Sequence, residues 1–185
     1  EVLESKWKMI RNALVLSTRL LSNFGFNGQV LRADSAILPI AYYLHSRGFT
    51  ESYLTDSTHL QDRLTIRRWL VTTLLKASGI WGSGLDTFLG RLREVLKTHG
   101  GQGFPLEEIR AEMTKSGKSI NFENEEIEDL LDLEYGQPLT FSMLSLLFPH
   151  LDFAHHFHID HVFPKSKMSA SALVQQGFAT EEAAQ

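Results

Sequence analysis

Residues 59–77 have the sequence HLQDRLTIRRWLVTTLLKA, and this stretch decides the fold class. Its apolar residues recur at the spacing that places side chains on one face of an α-helix. The predicted apolar stripe consists of Leu60, Leu64, Val71, Leu74 and Leu75. Arg63 and Arg67 lie on the same side of this helix. A buried arginine needs a partner, so we expect both to form salt bridges to neighbouring helices rather than contacts with DNA.

The same spacing continues on both sides of this helix. Between breaks at Gly and Pro, it predicts helices over about 2–22, 39–48, 85–99, 123–134 and 138–148, and one that starts at Pro105 and places Ile109 and Met113 inward. The predicted stripe of the first helix contains Leu3, Trp7, Ile10, Leu14 and Leu21. The predicted stripe of the helix at 85–99 contains Leu85, Phe88, Leu89, Leu92 and Leu96. That of the helix at 138–148 contains Leu139, Met143, Leu146 and Leu147. The sequence therefore predicts a mainly α protein.

The pattern changes after Pro149. Residues 151–164, LDFAHHFHIDHVFP, have no helical period and are rich in aromatic, β-branched and His residues. We predict a short strand or extended segment here, followed by a helix over about 166–176. The expected organisation is a multi-helix domain at 1–148 and a small His-rich element at 149–185.

Composition narrows the function class. The chain has 185 residues, of which 43% are hydrophobic and 22% are charged, and its apolar runs are too short for a membrane span. It contains no Cys, which excludes disulfides, thiolate metal sites and a Cys nucleophile, and we expect a cytoplasmic protein without a membrane partner. The first residue is Glu1 rather than Met, and we interpret the chain as a piece of a longer protein.

Charge is distributed unevenly along the chain. The net charge is -4, yet residues 1–100 contain 13 Lys and Arg against 8 Asp and Glu, and residues 101–185 contain 5 against 14. A polyanion such as DNA would therefore have to bind a local basic patch rather than the protein as a whole.

The clearest chemical motif is FHIDHVFPKS at residues 157–166. Asp160 offers a carboxylate, a ligand that hard divalent cations prefer. The next residue, His161, has an imidazole that titrates near neutral pH and can accept a proton from water. Ile159, Val162 and Phe163 flank the pair, as packing of a strand would require.

This string resembles the first half of an HNH (ββα-metal) nuclease site. The segments DSAILPIAYYL at 34–44, RRWL at 67–70, GSGLDT at 82–87 and EIEDLL at 126–131 are similar to the helical middle of the GmrSD-like restriction endonucleases. That family joins an N-terminal ParB-like nucleotide-handling domain to an HNH domain and cuts modified or foreign DNA. The resemblance implies that the partners of the full-length protein are DNA and its own ParB-like domain.

The resemblance also implies roles for particular residues. Asp160 would bind Mg²⁺ or Mn²⁺, and His161 would be the general base that activates water. Independently of the resemblance, His158 would share a strand face with Asp160, so it is a candidate metal or phosphate contact or else a packing residue. Lys165 is a candidate phosphate contact or else a solvent-exposed lysine. The family's further Asn ligand is not found before Gln185, and the DGQQR-type motif of the ParB-like domain is absent as well. We therefore expect this chain alone to hold no bound metal and to cut no DNA.

Two readings of the His-rich element stay open. In the first, the chain is part of a metal-dependent DNA endonuclease of the modification-dependent restriction class. In the second, residues 1–148 form a non-catalytic scaffold that couples domains or binds DNA or protein, and His155, His156 and His158 are structural or bind zinc.

Overall fold

The computed structural model describes residues 2–76, 79–134, 136–149, 151 and 169–177. These residues form eight α-helices and three short 3-10 helices, and no strand occurs among them. The α-helices are α1 (Val2–Asn23), α2 (Ile37–Ser46), α3 (Leu60–Leu75), α4 (Leu85–His99), α5 (Leu106–Lys115), α6 (Asn124–Leu131), α7 (Thr140–Leu147) and α8 (Ala170–Gln175). The prediction of a mainly α protein is confirmed. None of these helices combines the length and the apolar character that crossing a bilayer requires.

The chain divides into two compact units, Glu1–His155 and His156–Gln185. The described part of the second unit is α8, which Ser169 caps by accepting a hydrogen bond from the backbone N–H of Ala172. The strand or extended segment expected within 151–164 lies outside the described residues except for Leu151, and so the HNH element at 149–185 stays a prediction.

The first unit is built around α3. Ile66, Trp69 and Leu70 in this helix are fully buried. Helix α3 packs against α5 and α7, while α1 packs on α2, α2 on α4, and α4 on α5. Trp69 contacts the edge of Trp81 at a ring separation of 5.7 Å and donates its indole N–H towards the Met113 sulfur of α5.

Two glycines end helices where another residue would not fit. Gly48 follows α2 with a φ of +65°, a left-handed conformation that favours glycine. Gly100 follows α4, and a Cβ at that position would lie 2.4 Å from the carbonyl oxygen of Leu96. The sequence predicted helix ends at both of these positions.

Parts of three predicted stripes do not face the core. Phe88, Leu92 and Leu96 of α4 are buried as predicted. In contrast, Trp7 of α1 is 60% exposed, and Leu60 and Leu64 of α3 are 51% and 37% exposed. Helix α3 buries Ile66, Arg67, Trp69, Leu70, Val71, Thr73, Leu74 and Leu75 instead. A helix with neighbours on several sides buries most of its circumference, so a one-stripe prediction misses part of its core.

The predicted stripe of α7 faces the core only in part, since Leu139 and Met143 pack against it. Ser142 and Ser145 are 1% exposed, whereas Leu146 and Leu147 are 38% and 56% exposed. Because serine side chains are small, they let α7 approach α3 closely. Phe141 and Met143 are partly buried against the core, whereas Leu146 and Leu147 are left on the outer side of α7.

Candidate functional site

The predicted nuclease residues lie outside the part of the chain that the structure describes. Asp160, His161, His158 and Lys165 all fall within residues 152–168. Their assigned roles therefore stay predictions. Among the residues that are described, no three His, Asp or Glu side chains come close enough together to hold a metal ion.

Asp62, in the first turn of α3, is a carboxylate that the sequence analysis did not single out. Its Oδ2 accepts hydrogen bonds from the hydroxyls of Tyr43 at 2.9 Å and Tyr53 at 2.7 Å. Its Oδ1 accepts one from the backbone N–H of Phe104 at 2.6 Å. Both oxygens therefore have donors from other parts of the chain, and Asp62 joins α2, a 3-10 helix and the loop before α5 to α3.

The environment of Asp62 makes its two tyrosines very weak acids. Burial is the largest cause that raises the pKa of Tyr43, and the adjacent Asp62 carboxylate raises it further. Burial also raises the pKa of Tyr53, followed by its hydrogen bond to Asp62. Ionising either phenol would place a second negative charge beside the first in a partly dry site. This cluster suits structural support rather than proton transfer near neutral pH.

Arg63 and Arg67 interact with main-chain carbonyls. Arg63 Nη1 donates to the carbonyls of Tyr53 at 2.6 Å and Asp56 at 2.7 Å, so the interhelical salt bridge expected for it is replaced by bonds to the preceding turns. Arg67 is 7% exposed. Its Nη2 donates to the Ser145 carbonyl at 2.8 Å, and its Nη1 donates to the Pro149 carbonyl at 2.7 Å.

Arg67 thus caps the C-terminal end of α7. The last carbonyls of a helix have no partners within the helix, and a cation is favoured at that end. Burial lowers the pKa of Arg67, but a guanidinium remains protonated in proteins. The cap fixes the backbone at Pro149, which precedes the FHIDHVFPKS string in the sequence by only a few residues.

Two adjoining cavities lie beside the outer side of α3. One, of about 430 Å³, lies next to α5 and is lined in part by Arg68, Thr72, Arg110 and Asn121. The other, of about 450 Å³, lies next to α7 and is lined in part by Gln61, Leu64, Arg67, Arg68 and Pro149. Arg68, Leu106 and Leu146 line both cavities, so the two form one continuous surface, which we call the basic groove.

Among the described residues, no Asp or Glu lines either half of the basic groove. Arg110 is the arginine on the α5 side. Its guanidinium contacts the exposed Glu107 carboxylate at 3.3 Å and donates to the Asn121 side-chain oxygen at 2.9 Å. Arg68 is exposed, and its guanidinium makes no hydrogen bond or ion pair within the described part of the chain. The described lining of the groove therefore contains three arginines, Arg67, Arg68 and Arg110, and no carboxylate.

No protein-family model matches this chain, and no curated protein matches it either. Functional assignment therefore depends on the motif residues and on the geometry given above.

Proposed function

We propose that this chain is part of a metal-dependent DNA endonuclease of the HNH type, in the class that restricts modified or foreign DNA. The observation that carries the proposal is the string FHIDHVFPKS at residues 157–166. It places a carboxylate and an imidazole side by side between apolar residues, and the apolar pair after them is followed by Pro164, which resembles the first half of an HNH site.

The two motif residues would divide the work of hydrolysis. Asp160 would hold the divalent cation, because carboxylate oxygens are ligands that Mg²⁺ and Mn²⁺ prefer. When bound, the cation would neutralise the negative charge that develops on phosphate oxygens. His161 would accept a proton from the attacking water as its oxygen bonds to phosphorus and the bond to the leaving oxygen breaks. His158 and Lys165 could contact the metal or the phosphate.

The donor set of this chain suits a weakly held hard cation. The single carboxylate of Asp160 leaves most of an octahedral shell to water and to substrate oxygens, which is common for Mg²⁺. The described helices add support of a different kind. They agree with the helical region expected upstream of the HNH element, and Arg67 secures the end of that region at Pro149.

A cleavage assay on the full-length protein tests the proposal. We expect Mg²⁺ or Mn²⁺ to support cutting of modified or foreign DNA, and EDTA to stop it. Asp160→Asn should abolish cutting, whereas Asp86→Asn, which changes an acidic residue in the first turn of α4, should leave it intact. Unchanged cutting by Asp160→Asn would contradict the role of this carboxylate. A tightly bound zinc ion that is lost on substitution of His155 and His156, together with an absence of cutting, would favour the scaffold reading.

A further inference from the structure

The outer side of α3 presents polar groups at regular intervals. Gln61, Thr65, Arg68 and Thr72 are three or four residues apart and all line the basic groove. At a rise of about 1.5 Å per residue, this row extends over about 16 Å of helix. The two threonines donate their hydroxyl protons to carbonyls within α3, at 2.9 Å and 2.7 Å. Arg68 and Gln61 are therefore the side chains of this row whose donors can serve a ligand.

Arg68 differs from the two other arginines of α3. Arg63 and Arg67 are occupied by main-chain carbonyls that hold the fold together. The Arg68 guanidinium binds no main-chain carbonyl among the described residues, and it lies where the two halves of the groove meet. A free guanidinium presents a planar set of donors that matches phosphate geometry.

The surroundings of Arg68 favour a phosphodiester backbone as the ligand. Arg110 and the Asn121 amide lie on the α5 side, and Leu64, Leu106 and Leu146 provide apolar surface against which a sugar can pack. Among the described lining residues none is acidic, which lowers the repulsion that an anion would meet, and the exposed Glu107 beside the groove is paired with Arg110. Unlike an acidic peptide, DNA is also the polyanion that the proposed nuclease requires.

We propose that the basic groove binds the phosphate backbone of duplex DNA, with Arg68 as the principal phosphate contact and Arg110 as a second. This inference rests on the proposed function for the identity of the polyanion. The contact would be independent of base sequence, because phosphates carry no sequence information. The groove would thus hold DNA for the nuclease motif without choosing the site of cutting.

The salt dependence of DNA binding tests this assignment. Fluorescence anisotropy of a labelled duplex would be measured with the intact protein in EDTA, so that binding is separated from cleavage. Each phosphate contact contributes about -0.9 to the slope of log K against log salt. We expect Arg68→Ala to make the slope shallower by about 0.9 and to weaken binding about eightfold at 0.1 M salt. Arg68→Ala with Arg110→Ala should reduce the slope further.

Arg93→Ala is the matched control. Arg93 in α4 is an exposed arginine that pairs with the adjacent Glu94 and does not line the basic groove. Its removal changes the net charge by the same amount as removal of Arg68, and we expect it to leave the slope unchanged. Unfolding midpoints of all variants would show that each is folded.

Three results would overturn the assignment. The first is an equal slope for Arg68→Ala and Arg93→Ala, and the second is no duplex binding by the wild type at 50 mM salt. The third is equal or tighter binding of polyglutamate with the same dependence on Arg68, which would assign the groove to an acidic protein segment. Failure of the nuclease proposal gives a different pattern, since cutting would then survive Asp160→Asn while the slope still depends on Arg68.

Discussion

Replacing Arg67 by alanine should destabilise the helical unit far more than replacing its neighbour Arg68. Arg67 is 7% exposed and donates two hydrogen bonds to carbonyls at the end of α7. A hydrogen bond that involves a charged group contributes about 1.5–3 kcal/mol. The bond to Ser145 is buried and should count in full, whereas water can replace part of the bond to Pro149. Removal of the guanidinium also relieves its desolvation, so we expect a net loss of about 2–4 kcal/mol.

Urea unfolding followed by far-UV circular dichroism would measure this loss. Arg68→Ala removes the same side chain one residue further along the helix, and because Arg68 is exposed we expect a change within about 0.5 kcal/mol. Arg67→Lys keeps the charge but loses the forked geometry that reaches two carbonyls, and it should be intermediate. Equal free energies of unfolding for Arg67→Ala and Arg68→Ala would refute the argument that Arg67 holds α7 to α3.

Three further predictions concern other parts of the described fold. The free energy of unfolding should fall as the pH rises above about 10, because the tyrosines ionise there in the unfolded chain while burial keeps Tyr43 and Tyr53 protonated in the folded one. Tyr43→Phe with Tyr53→Phe should flatten this dependence in urea titrations at pH 8 to 11, and an unchanged slope would contradict it. Glu126→Gln should lower the midpoint of thermal unfolding more than Glu125→Gln does. Glu126 completes the capping box of α6, and it pairs with Lys76, whose side chain is 6% exposed. Equal midpoints would argue against the pair. Trp81→Phe should lower the free energy of unfolding in urea less than Trp69→Phe does. The buried indole N–H of Trp81 has no partner in the described structure, whereas Trp69 is fully buried and donates its N–H towards the Met113 sulfur. The opposite order would contradict this difference.

Local patterns in the sequence predicted the helices well because helices are local structures. Glycine and proline breaks marked most of the ends, and a single apolar stripe contains all the buried residues of α4, which are Phe88, Leu92 and Leu96. The same rule was wrong for Leu60 and Leu64 in α3 and for Leu146 and Leu147 in α7. Which face of a helix is buried depends on how many helices surround it and how closely they approach. The spacing of apolar residues along the sequence reveals neither.

The polar contacts of the fold were not predictable from the sequence. Asp62 meets donors that are 9, 19 and 42 residues away, and Arg67 meets carbonyls 78 and 82 residues away. No local pattern in the sequence predicts partners at such separations. The proposed nuclease motif is a different case, because its residues are adjacent in sequence and its prediction needs no long-range contact. It stays a prediction.

The cleavage rate of His161→Ala in the full-length protein tests the central claim most directly. A general base acts on the transition state and contributes little to binding of the substrate. Cleavage with Mg²⁺ should therefore fall about 10²–10⁴-fold while the affinity for DNA in EDTA is unchanged. His99→Ala, which removes an exposed histidine at the end of α4, should cut like the wild type. Cutting at the wild-type rate by His161→Ala, or no cutting of modified or foreign DNA by the wild type, would contradict the assignment of this protein as an HNH endonuclease.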